Sequence, residues 1–81
     1  MIIVVHLFGP ARDAVGDESI EVEIAEGSSV ADLLEAVRRD VPQLAHLLDA
    51  SRLAIDLRYA SSDDPIPADA EVALIPPVAG G

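Results

Sequence analysis

"EGSSVADLLEAVRRD", residues 26–40, is the longest stretch with helical periodicity, and its place in the chain decides the fold. Val30, Leu33, Leu34 and Val37 recur at a spacing that puts them on one helix face. Ser29 stands before the stripe as an N-cap, and Asp32 faces the positive end of the helix dipole. Arg38 and Arg39 fall in the last turn, where the dipole favours cations, and Pro42 ends the helix. "QLAHLLDA" (43–50) is expected to form a further short helix.

Outward from this helix the periodicity changes to that of strands. On the N-terminal side, "SIEVEI" (19–24) alternates Ile20, Val22 and Ile24 with Glu21 and Glu23, the pattern of a half-buried strand with one wet face. Before it, Ile2 to Phe8 is apolar but for His6 and rich in β-branched residues, which predicts a central strand buried on both faces. Gly9 and Pro10 end that strand, and "ARDAVG" (11–16) is read as one helical turn closed by Gly16. The short connection makes the first two strands an antiparallel pair. On the C-terminal side, "RLAIDLRYA" (52–60) is read as a strand, "SSDDPIPADA" (61–70) as a loop and "EVALIPP" (71–77) as the last strand. The order β-β-α-β-β, with a last strand apolar enough to lie parallel beside the first, predicts an α+β, ubiquitin-like β-grasp: a mixed sheet clasping one main helix. Residues 1–81 are expected to form a single domain, with 76–81 as a protruding tail.

Composition narrows the function classes. Fifteen acidic residues against five arginines give a net charge of −10. Nucleic acid and anionic membranes call for basic patches, so neither is an expected partner. A basic protein surface, reached by electrostatic steering, is compatible. With no cysteine, disulfides and thiolate metal sites are excluded, which suits a cytoplasmic location. The apolar opening is too short to span a bilayer and lacks the basic start of a signal peptide.

The end of the chain, "IPPVAGG" (75–81), has its own chemistry. If Val72 and Leu74 face the core, Ile75 points outward beside the tail. Pro76 lacks an N–H and ends sheet pairing; Pro76 and Pro77 together favour an extended rod. Four more residues then reach about 13–14 Å. Gly80 and Gly81 can thread a channel too narrow for side chains. A terminal carboxylate is a poor acyl donor until activated, for example by adenylation; a sulfur nucleophile could then displace the adenylate and leave a thiocarboxylate. A frayed glycine end is the alternative.

Four segments carry a resemblance that covers nearly the whole chain: "LFGPARDAVG" (7–16), "EGSSVADLL" (26–34), "LAIDLRYASSDDPI" (53–66) and "EVALIPPVAGG" (71–81). In these the chain resembles the MoaD-type sulfur carriers, the small subunits of molybdopterin synthase, which belong with ThiS among the ubiquitin-like proteins. The resemblance implies that Gly81 is adenylated by an E1-like enzyme using ATP and becomes a thiocarboxylate. It implies that Pro76, Pro77, Val78, Ala79 and Gly80 thread into a large synthase subunit, in a heterotetramer of two small and two large subunits. There sulfur passes to cyclic pyranopterin monophosphate (precursor Z). The small subunit would bind no cofactor and would not itself be the enzyme. Phe8, Tyr59 and Ile75 match apolar interface positions of the family; ordinary core packing is the alternative for Phe8 and Tyr59. Asp56, where asparagine is usual, and the Pro67–Ala68 segment depart from the pattern and put loop conformation in question. The same tail also fits a protein modifier conjugated through Gly81, or sulfur carriage for thiamin, cysteine or tRNA thiolation.

Other constellations are weak. His6 and His46 stand apart from any ligand-spaced partner, so no metal site is expected. Asp63 and Asp64 precede Pro65 in a turn-rich loop and are read as solvated rather than as acid–base catalysts. Arg12 and Asp13 match a basic–acidic pair of the family and are read as a local contact.

Overall fold

The computed structural model describes residues 1–76. Strand β1 (Ile2–Leu7) leads through helix α1 (Gly9–Val15) into β2 (Ser19–Glu23). Helix α2 (Val30–Asp40) follows, then a 3₁₀ turn (Pro42–Leu44) and the short α3 (Ala45–Leu48). Strands β3 (Arg52–Ile55), β4 (Arg58–Tyr59) and β5 (Val72–Ile75) complete a five-stranded sheet in the order β2-β1-β5-β3-β4. Strand β1 is antiparallel to β2 and parallel to β5, with Val5 opposite Val72 and Leu7 opposite Leu74. The sheet is mixed and clasps α2, which is the β-grasp arrangement.

Local chemistry accounts for the helix boundaries. Ser29 Oγ accepts a bond from the Asp32 N–H at 3.2 Å, and Asp32 Oδ2 accepts one from the Ser29 N–H at 3.0 Å. This reciprocal box satisfies two N–H groups at the start of α2. The next two donors are met from the loop after β4: the Val30 N–H reaches the Asp64 carbonyl at 2.9 Å and the Ala31 N–H the Ser62 carbonyl at 3.0 Å. The loop therefore acts as a backbone cap for the helix. Helix α1 runs for seven residues, longer than the single turn expected, and closes at Gly16. That glycine has φ +84° and donates to the Arg12 carbonyl at 2.7 Å.

One apolar cluster lies between sheet and helices. Ile3, Val5 and Leu7 of β1, Val22 of β2, Leu53 of β3 and Val72 and Leu74 of β5 meet Leu33, Ala36 and Val37 of α2. Leu44 and Ile66 close its ends. Leu34, placed on the expected stripe, is only half-buried, whereas Ala36 is fully enclosed.

Three expectations are corrected. Strand β1 is buried on one face only: Ile2 and Val4 are exposed, because the helices cover a single side of the sheet. The strand also ends at Leu7, and Phe8 is the extended N-cap of α1 rather than a strand residue. "RLAIDLRYA" is not one strand but a hairpin, with Ile55 paired to Arg58 across a two-residue turn at Asp56 and Leu57.

Candidate functional site

The uncovered face of the sheet carries the candidate site. Residues opposite one another in neighbouring strands point to the same side. The register His6↔Ala73, Ala73↔Ala54 and Ala54↔Tyr59 therefore draws one row across β1, β5, β3 and β4 on the face away from α2. The two alanines leave a hollow between larger neighbours, a groove of about 350 Å³. Phe8, Ile75, Tyr59 and Leu57 supply its apolar border, and His6 and Glu71 supply polar groups.

Each border residue is held by its element. Ile75 follows the fully buried Leu74, so strand alternation turns it outward, as the sequence parity implied. Phe8 caps α1 with φ −136° and is 48% exposed, directed away from the core that Ala11 fills one turn later. Tyr59 is 61% exposed, with the Arg52 guanidinium 4.1 Å above its ring, a cation–π contact that braces the ring. Core packing, the alternative for Phe8 and Tyr59, is excluded by these exposures. The fold brings the three expected interface residues to one groove. Pro76 follows Ile75 at the rim, 3.8 Å from where a side chain on Gly9 would sit. Pro77, Val78, Ala79, Gly80 and Gly81, the expected threading and acyl-donor residues, lie outside the described residues.

One end of the groove is acidic. Glu71 Oε1 lies 3.9 Å from His6 Nε2. Asp56 Oδ1 accepts a bond from the Glu71 N–H at 2.9 Å, while the Asp56 N–H donates to the Glu71 carbonyl at 2.8 Å. This pair of hydrogen bonds ties the β3–β4 turn to the start of β5. It also answers the loop question raised by Asp56: a carboxylate oxygen accepts the backbone N–H as an amide oxygen can, so the turn is formed. Sequence reasoning did not single out Leu57. The available signal was a large apolar residue inside what proves to be a two-residue turn.

The remaining candidates are structural. The Asp64 carboxylate accepts from the Ser61 N–H at 2.8 Å and its carbonyl caps α2, so it shapes the loop. Arg38 pairs with Asp49 at 2.9 Å, and Arg39 with Asp40 at 2.9 Å. The Arg39 hydrogen bond holds the Asp40 carboxyl below its ordinary range. No ion pair joins Arg12 to Asp13. Among the described residues, no group of His, Cys, Asp and Glu side chains is placed to hold a metal ion, and no helix is long and apolar enough to cross a membrane.

Comparison with known proteins adds a lineage to this geometry. The ThiS family matches residues 5–81, and the chain belongs to that family. It is 32% identical over 78 residues to the molybdopterin synthase sulfur carrier subunit of Dictyostelium discoideum, covering 93% of this chain and 91% of that protein. Among solved structures, a putative molybdopterin converting factor subunit 1 from Pyrococcus furiosus superimposes with a TM-score of 0.83 at 26% identity, covering 96% of this chain and 99% of that one. SAMP1 from Haloferax volcanii gives 0.86 at 24% identity with both chains fully covered, a likeness of fold. The chain is thus a ubiquitin-like β-grasp homologue of the molybdopterin synthase sulfur carriers.

Proposed function

We propose that this protein is the sulfur-carrying small subunit of a molybdopterin synthase. The observation that carries the reading is the chain-length identity to a sulfur carrier subunit, combined with an apolar groove at the end of β5. Ile75, the last strand residue, sits in that groove immediately before "PPVAGG". A partner docked on the groove therefore stands next to Pro76, the residue from which the tail continues.

The chemistry proceeds at the Gly81 carboxylate. An E1-like partner joins it to the AMP moiety of ATP and releases pyrophosphate. A sulfur nucleophile then displaces AMP, and the terminal carboxylate oxygen is replaced by sulfur. The tail carries this thiocarboxylate into the large subunit, where its sulfur bonds to precursor Z and water then cleaves the acyl–sulfur bond, leaving the sulfur on the acceptor and Gly81 as a carboxylate. Glycine at 80 and 81 leaves the backbone free of side chains where the partner grips it. The role of the described fold is to hold the tail and present the groove. Catalytic side chains then belong mostly to the large subunit, in an assembly of two small and two large subunits, and ATP is a substrate of the activating partner.

Deletion of Gly81, or addition of one residue after it, tests the reading in a purified system with the activating enzyme and large subunit. The expected result is loss of sulfur transfer with an unchanged circular dichroism spectrum. Full transfer by either variant overturns the proposal.

A further inference from the structure

We infer that Leu57 is a hydrophobic anchor for the large subunit, kept in a strained backbone conformation by the need to dock. This rests on the sulfur-carrier reading and adds a residue to its docking face. Leu57 is 92% exposed, the most exposed large apolar side chain among the described residues. It occupies the second position of the β3–β4 turn with φ +70°, after Asp56 at φ +50°. Two-residue hairpins with positive φ at both positions favour Asn-Gly or Asp-Gly, and a bulky side chain in the left-handed region is an outlier. Folding therefore gains nothing from leucine here: the side chain packs against no core, and its backbone prefers another residue.

The surroundings fit a docking role. Leu57 borders the same groove as Phe8 and Ile75. The turn beneath it is fixed by the two Asp56–Glu71 bonds and by the Ala60 N–H to the Leu53 carbonyl at 2.9 Å. An anchor held this way loses little freedom on binding. The occupant is defined by charge as well as shape. Glu71 lines the groove beside Leu57, with Asp56 in the same turn; Arg52, over the Tyr59 ring, is the cation on this face, and the chain as a whole carries a net charge of −10. The complementary surface is an apolar socket for Leu57 with an arginine or lysine side chain at the Glu71 end of the groove.

The test compares wild type, Leu57→Asn and Leu57→Met for binding to the large synthase subunit encoded in the same genome, by calorimetry, with thermal midpoints measured alongside. Leu57→Asn is expected to weaken binding about 10- to 100-fold, the loss of one buried leucine. It is also expected to raise the midpoint, because asparagine tolerates positive φ. Leu57→Met keeps an apolar group and is expected to bind within a few-fold of wild type. Unchanged affinity for Leu57→Asn beside a wild type that binds overturns the anchor, and a lowered midpoint overturns the strain. A wild type that does not bind the large subunit overturns the sulfur-carrier reading, and the anchor falls with it.

Discussion

Adjacent residues of β5 are expected to give opposite phenotypes when shortened to alanine. Leu74 is 1% exposed and lies against the core; Ile75 is half-buried on the groove face, opposite Arg52. Leu74→Ala removes a fully enclosed side chain and leaves a cavity in the core beneath β5, a loss of about 2–5 kcal/mol. A chain of this length has roughly 4–12 kcal/mol of stability to lose. At about 4–8 °C per kcal/mol for a domain of this size, the thermal midpoint should fall by roughly 8–40 °C. Ile75→Ala uncovers only part of its side chain, a loss of about 1 kcal/mol. The assay is thermal and urea unfolding followed by circular dichroism, with binding to the large subunit measured at a temperature where both variants are folded. Leu74→Ala should be strongly destabilised yet bind once folded. Ile75→Ala should be nearly as stable as wild type and bind weakly. Equal destabilisation by the two would mean that the groove face is packed, and would refute the division of β5 into a core side and a docking side.

Ser29→Ala removes one half of the box at the start of α2 and is expected to cost about 1 kcal/mol in urea unfolding. In an NMR titration the Asp40 carboxyl should protonate below the ordinary aspartate range, and Arg39→Gln should move it back up. Because the folded value is depressed, any stability from this exposed pair is present above the unfolded aspartate value near 4 and is lost as pH falls through the folded one. With a charge of −10, association with a basic partner should slow as salt rises from about 50 to 500 mM; on-rates that stay constant would remove electrostatic steering.

The main helix was legible because its signals are local. The stripe, the Ser29 cap and Pro42 all lie within the segment they define. The parallel pairing of the last strand with the first followed from topology rules, and the outward turn of Ile75 from parity alone. The β3–β4 hairpin was not legible: Asp56-Leu57 lacks the glycine that marks such turns, and two fused short strands read as one long strand. The exposure of Ile2 and Val4 was hidden for a different reason. A β-branched run reports strand propensity, not how many layers cover the sheet. The loop that caps α2 does so through the carbonyls of Ser62 and Asp64, and backbone acceptors leave no mark on side-chain identity. Phe8 and Tyr59 came to notice through family resemblance; only the folded register shows that they share a groove with Ile75. Leu57 was overlooked because its meaning depends on its φ.

The central claim is that Gly81 carries sulfur as a thiocarboxylate, and the intact mass of the protein isolated from its native cells tests it most directly. A population heavier than the unmodified chain by the exchange of one oxygen for sulfur is expected, lost on alkaline hydrolysis and absent when the activating enzyme is deleted. A native protein found only unmodified, joined through Gly81 to lysines of other proteins, or continuing beyond Gly81 without trimming would contradict it.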